Sequence, residues 1–148
     1  MTTVKGVMMT EVTSVTLSTS AIEVAQWMKT SGSSMIPVCE NGKLRGISTE
    51  RDIAVNVVST SRNPGTTSAS SVMSKDCPTV SPSEDIWHAI NVMADRDIKV
   101  MPVVQDSKLV GLLSLDDLTR KSPALAAMVF SRSVKPPASN SRVHVRRR

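Results

Sequence analysis

Aromatic residues are nearly missing from this 148-residue chain, which has one Phe, two Trp and no Tyr. A core here must be built from Val, Ile, Leu, Met and Ala, and ring stacking is no general means of recognition. Glycine is sparse at six residues, and no stretch forms a Gly-rich loop able to cradle phosphates. Two His and two Cys lack metal-ligand spacing, so no metal site is expected. Cys39 and Cys77 form no C-x-x-C pair and read as free buried thiols.

Long apolar runs are absent as well. The longest candidate, ALAAMVF at 124–130, has seven residues, far short of a bilayer span. The N-terminus is broken by Thr, Lys and Glu and lacks a secretory apolar stretch, so a cytoplasmic protein is expected. No nucleophile, base and orienting group fall into a catalytic pattern, so no enzymatic activity is expected.

Acidic residues are missing from one part of the chain, which has none after Asp117. The formal charge of +5 therefore sits at one end, in Arg132, Lys135, Arg142 and Arg146–Arg148. Without those six the chain holds 12 basic residues against its 13 acidic ones. The body is a near-neutral globule with a basic tail. That tail reads either as a solvated charge run or as an arm for nucleic acid, anionic membrane or an acidic protein patch.

What the chain does have is a duplication. Slid by 65 residues, it matches itself without a gap from Val7–Ile53 to Val72–Leu118. VMMTEVTSVTLS lies over VMSKDCPTVSPS, and MIPVCENGKLRGISTERDI over VMPVVQDSKLVGLLSLDDL. Met8/Met73, Met28/Met93, Pro37/Pro102, Gly46/Gly111 and Asp52/Asp117 are among the identical pairs. Two repeats are too few for a solenoid; they predict a pseudo-twofold pair.

Each repeat predicts a β-α-β-β-α order. A short strand (Ser14–Leu17; Thr79–Ser81) leads into a helix. In the second copy, SPSE predicts Ser81 as N-cap, Pro82 at the first helical position and Glu84 closing a capping box. Helical spacing places Ala21, Val24, Ala25 and Met28 on one face, and Ile86, Ala89, Ile90 and Met93 on its counterpart. Two short apolar strands follow, joined by Asn41-Gly42, a hairpin pair tolerant of positive φ, or by QDSK. Pro37 and Pro102 put the first of these strands at an edge. Thr49 and Ser114 start the closing helix. Trp27 and Trp87 are expected in the core or a dimer seam, and His88 partly exposed.

GISTERDI (46–53) and its echo GLLSLDDL (111–118) carry the candidate chemistry. A hydroxyl with an acid three residues on (Thr49/Asp52, Ser114/Asp117) fits an N-cap worth about 1 kcal/mol. The same pair fits a polar clamp, since an ionised carboxylate accepts hydrogen bonds from both hydroxyls of a cis-diol. The two roles need not exclude each other.

The duplicated pattern resembles the cystathionine-β-synthase (CBS) domain, and residues 7–120 look like a tandem CBS pair, or Bateman module. The opening VM, the Met nine residues before Pro, the P-V strand and G-h-h-[ST]-x-x-D (h apolar) carry the resemblance, twice and in register. The resemblance implies an α/β fold of two repeats packed sheet to sheet, spanning 1–58 and 72–121. A linker at 59–71 and a basic extension at 122–148, with a short helix at 122–131, complete this division. It further implies a regulatory homodimer that binds AMP, ADP, ATP, S-adenosylmethionine or NAD between the repeats, with no cofactor required.

By the same resemblance, Asp52 and Asp117 meet ribose, and Thr49 and Ser114 meet ribose or phosphate, with Arg51 beside them. Ser34 before Pro37, and Ile98 and Lys99 before Pro102, fall where the base is held; Ser14 and Thr79 line the same clefts. Ser33 stands where repeat 2 has Ile98, and Asp116 where repeat 1 has Arg51. Repeat 1 is thus expected to have the better phosphate end and repeat 2 the better base pocket, with Lys99 as the compensating cation. Unequal sites are expected, with as few as one occupied. The alternative is a ligand-free dimerisation module whose tail recruits a partner.

Overall fold

The structure, a computed structural model, describes residues 2–125, 127 and 131. Repeat 1 runs through a helical turn at Val4–Gly6, α1 (Ala21–Ser31), β1 (Met35–Glu40), β2 (Lys43–Thr49) and α2 (Glu50–Ile53), which widens into a π-helical turn at Ala54–Val58. Repeat 2 follows the same plan in α3 (Ala69–Val72), α4 (Ile86–Arg96), β3 (Val100–Gln105), β4 (Lys108–Ser114) and α5 (Leu115–Lys121). The helix expected across 122–131 lies partly, and the basic tail wholly, outside the described residues.

Each hairpin is antiparallel, with a bulge at equivalent points, Val38/Cys39 and Val103/Val104. The hairpins meet at Lys43 and Lys108, giving one sheet in the order β1-β2-β4-β3. Asn41 and Gly42 turn the first at φ 51° and 78°; Asp106 and Ser107 turn the second at 52° and 67°.

The strands expected at 14–17 and 79–81 shrink to single parallel bridges, Val15 to Val38 and Val80 to Val103. Each ladder is closed off on both sides. Val15 N–H donates to Pro37 O at 3.0 Å and Cys39 N–H donates to Val15 O at 2.8 Å. On its N-terminal side the ladder would next need an N–H from Pro37, which has none; on the other side the chain turns, with Thr19 N–H donating to Thr16 O at 3.2 Å. In the second copy Val80 N–H donates to Pro102 O at 3.1 Å and Val104 N–H to Val80 O at 2.9 Å. Pro102 lacks the N–H for the rung before, and Pro82 lacks the N–H for the rung after.

The first helices bury the predicted faces: Ala21, Val24 and Met28 on α1, and Ile86, Ala89, Ile90 and Met93 on α4. Burying each larger side chain of this kind is worth about 1.5–3 kcal/mol. The α4 start differs from expectation. Asp85 is the N-cap, accepting from Trp87 N–H at 2.7 Å. Ser81 and Glu84 instead close the preceding turn, with Ser81 N–H donating to Glu84 Oε1 at 3.2 Å. Asp85 is the repeat equivalent of Ser20, which caps α1; a cap beginning at Ser81 would have broken the register of the duplication.

The repeats are laced together by exchanged segments. Met9, leading into repeat 1, pairs with Leu112 in repeat 2, and Ser74, leading into repeat 2, pairs with Ile47 in repeat 1. Gly46 and Gly111 sit beneath these crossings. A Cβ on Gly111 would lie 2.6 Å from Met9 O, and one on Gly46 would lie 2.9 Å from Ser74 O. Glycine is required there by close backbone approach, at φ values any residue could adopt.

Candidate ligand-binding site

Two related cavities open where the closing helix of one repeat faces the loop before the first hairpin strand of the other. The larger, about 380 Å3, joins Ser114, Asp116, Asp117 and Arg120 of repeat 2 to Ser31–Ser34 and Glu50 of repeat 1, with Met9, Lys99 and Leu112 completing the wall. The smaller, about 270 Å3, joins Thr49, Glu50 and Arg51 of repeat 1 to Asp97, Ile98 and Lys99 of repeat 2. Ser34, Glu50, Lys99 and Val100 line both.

This crossing corrects the expected division of strengths. The Arg51 end and the apolar Ile98 wall belong to one cavity, whereas Asp117 faces the polar wall of Ser33 and Ser34. The cation expected to offset the carboxylates of repeat 2 is also different. Arg120 Nη2 pairs with Asp117 Oδ1 at 2.9 Å, and Lys99 only lines the cavity. The Arg120 side chain is 77% exposed and that of Asp117 14%, so the arginine can swing away while the carboxylate stays.

The two acid-hydroxyl pairs have diverged. Thr49 and Asp52 form a complete capping box: Asp52 N–H donates to Thr49 Oγ1 at 3.0 Å, and Thr49 N–H to Asp52 Oδ2 at 2.9 Å. Asp52 Oδ1 accepts a further bond from the Ser74 hydroxyl at 2.8 Å. Ser114 is also an N-cap residue, yet its side chain makes no cap bond. Among the described residues, Arg120 is the sole donor to Asp117. The cap reading of the motif thus holds in repeat 1, while in repeat 2 neither the Ser114 hydroxyl nor the Asp117 carboxylate closes a cap.

The remaining predicted residues lie elsewhere. Pro37 and Pro102 are buried within β1 and β3. Ser14 lines a separate cavity of about 330 Å3 with Thr10, Cys39 and Gly111, and Thr79 is exposed on the surface. Burial raises the Cys39 thiol pKa, opposed by a hydrogen bond from Ser14, and pushes that of Cys77 up to about 11. Both cysteines are free. Trp27 is 39% exposed on α1, outside the core, and Trp87 packs half-buried against the repeat 2 core.

Sequence reasoning missed Arg120, Glu50, Met9 and Ser74. Arg120 had a signal, standing three residues after Asp117 on one helix. Ser74 had none nearby, because its partner is 22 residues away. Among the described residues no group of three or more His, Cys, Asp or Glu could hold a metal ion, and no helix is long and apolar enough to cross a membrane.

A duplicated helix-hairpin-helix unit with exchanged lead-in segments and paired clefts defines a class of regulatory and signal-transduction modules. The chain belongs to the CBS domain family, which matches at residues 4–59 and 69–124. It is 36% identical over 118 residues to the CBS domain-containing protein YhcV of Bacillus subtilis, covering 80% of this chain and 84% of that one. It is 27% identical over 138 residues to hypoxic response protein 1 of Mycobacterium tuberculosis, covering 93% and 96%. A crystal structure of Hypoxic Response Protein I with two coordinated zinc ions superposes with a TM-score of 0.73 at 27% identity, over 82% of this chain and 100% of that one. The hexameric CBS-CP12 protein from bloom-forming cyanobacteria superposes with a TM-score of 0.70 at 25% identity, over 85% and 74%.

Proposed function

We propose that the chain is a non-catalytic, ligand-responsive regulator that binds an adenosine-containing molecule, of the AMP, ADP, ATP, S-adenosylmethionine or NAD class, in the cleft between its repeats. The observation that carries the reading is Asp117. It is a largely buried carboxylate held by one exposed arginine at the edge of a cavity of about 380 Å3, beside a Ser114 hydroxyl that its helix does not use. Such a carboxylate is suited to a ribose cis-diol, and Arg120 can turn from it toward a ligand phosphate. Regulation follows if the ligand binds one arrangement of the repeats more tightly than another and so shifts the population.

The working unit in this reading is a homodimer. In its support, repeat 1 exposes Ile22 and Trp27 on α1 and Val55 and Val58 on the π-helical turn, at 39–71% exposure. Neighbouring large apolar side chains on otherwise polar helices are what a helix-packed seam requires.

A thermal-shift screen with AMP, ADP, ATP, S-adenosylmethionine and NAD, on wild type and Asp117→Asn, tests the reading. Ligand at 100 times its dissociation constant stabilises the fold by about 2.7 kcal/mol. A shift with one compound, lost in Asp117→Asn, is expected. No shift with any of them sinks the reading.

A further inference from the structure

Duplication gave the chain two equivalent carboxylates, and the structure treats them differently. The segment that crosses the strand before each closing helix is fixed by a reciprocal pair of backbone bonds. Ile47 N–H donates to Ser74 O at 2.9 Å and Ser74 N–H to Ile47 O at 2.8 Å; Met9 and Leu112 make the same two bonds at 2.8 and 2.9 Å. Ser74 and Met9 are therefore equivalent positions held in equivalent places. What differs is the side chain. The Ser74 hydroxyl reaches Asp52 Oδ1 at 2.8 Å, whereas Met9 offers Asp117 no donor.

The consequence is visible in the cavities. Asp117 lines the larger one, with Met9 at its edge. Asp52 does not line the smaller one, although its neighbours Thr49 and Arg51 do. With Oδ2 taken by Thr49 N–H and Oδ1 by Ser74, each oxygen of Asp52 already has a protein donor at hydrogen-bond distance. A ligand diol would have to displace a hydroxyl whose backbone is pinned on both sides. At Asp117 it has only to displace an arginine side chain that is 77% exposed.

We propose that Ser74 is a built-in occupant of the repeat 1 carboxylate. Its hydroxyl stands where a ligand hydroxyl would, so the chain has one ligand site, at Asp117, and the residue at position 74 determines that number. The inference rests on the nucleotide-binding reading above. It adds that the Asp52 motif is structural as the chain stands and that the second site is latent, with Arg51 and Ile98 already lining its cavity.

Isothermal titration with AMP, ADP, ATP, S-adenosylmethionine and NAD reads the stoichiometry directly. Wild type should take up one equivalent per chain of the compound that binds, and Asp117→Asn none. Ser74→Ala should take up two. Ser74→Met, which copies position 9, should do the same and guards against a folding defect particular to alanine; circular dichroism verifies that each variant is folded. Two equivalents in wild type, one retained in Asp117→Asn, or one in both folded Ser74 variants would overturn the inference while leaving nucleotide binding intact. No uptake of any compound by wild type would instead remove the functional reading, and this inference with it.

Discussion

Lys43 faces Lys108 across the rung that joins β2 to β4, two exposed ammonium groups at the meeting point of the repeats. Duplication produces this pairing automatically, because a residue on the pseudo-twofold axis meets its own copy. Like charges directly opposite on a sheet destabilise, and opposite charges contribute roughly 0.2–1 kcal/mol. The other cross-strand neighbour of Lys108 is the neutral Gln105, whereas Lys43 already faces Glu40. Lys108→Glu should therefore raise stability by a fraction of a kcal/mol. The gain should shrink in 1 M salt, where the Debye length is about 3 Å. A gain independent of salt would show that charge is not its origin.

The second hairpin turn holds Ser107 at φ 67°, where its counterpart is Gly42 at φ 78°. A non-glycine residue in the left-handed region costs roughly 1–2 kcal/mol, part of which glycine returns as chain entropy. Ser107→Gly should therefore stabilise by about 0.5–1 kcal/mol in urea titrations. Gly42→Ser should destabilise by a similar amount.

Ser48 is fully buried, and its hydroxyl has no hydrogen-bond partner. Its equivalent in repeat 2 is Leu113, a core residue. Leaving a buried polar group unsatisfied costs about 1–3 kcal/mol. Ser48→Ala should thus raise stability by about 1 kcal/mol, read from the urea midpoint at unchanged slope. A loss would mean that the hydroxyl finds a partner in solution.

Cys77 sets an alkaline limit. Burial raises its thiol pKa from 9.0 to about 11. Between these values the unfolded chain has lost the proton that the folded chain keeps, so stability is full below pH 9 and declines as pH rises toward 11. Cys77→Ala should flatten that decline in thermal melts taken from pH 8 to 11. The same burial predicts slow alkylation of Cys77 in the folded state at pH 8, accelerated by urea.

The duplication made much of the fold legible. Hydrophobic spacing placed α1 and α4, Asn41-Gly42 placed the first hairpin turn, and Thr49 to Asp52 placed a cap, because each depends on neighbours a few residues apart. The α4 cap was misread because SPSE satisfies the local rule for a capping box, while the register of the repeats favours Asp85. The first strands were overextended because the chain turns straight after Val15, with Thr19 N–H on Thr16 O, and because Pro82 has no N–H to continue the ladder after Val80.

Sequence by itself determined that this protein is a pair of like units, which residues face each core, and that two hydroxyl-acid motifs stand at equivalent helix starts. Tertiary structure alone decided that each cavity takes its helix cap from one repeat and its opposite wall from the other. It also decided that Ser74 closes on Asp52, whereas Arg120 reaches Asp117 from three residues on along the same helix. The reason is one of range. Backbone propensity and periodicity are local, whereas a carboxylate's hydrogen-bond partner is set by which distant segment the packed repeats bring within 3 Å, and two identical motifs can receive different ones.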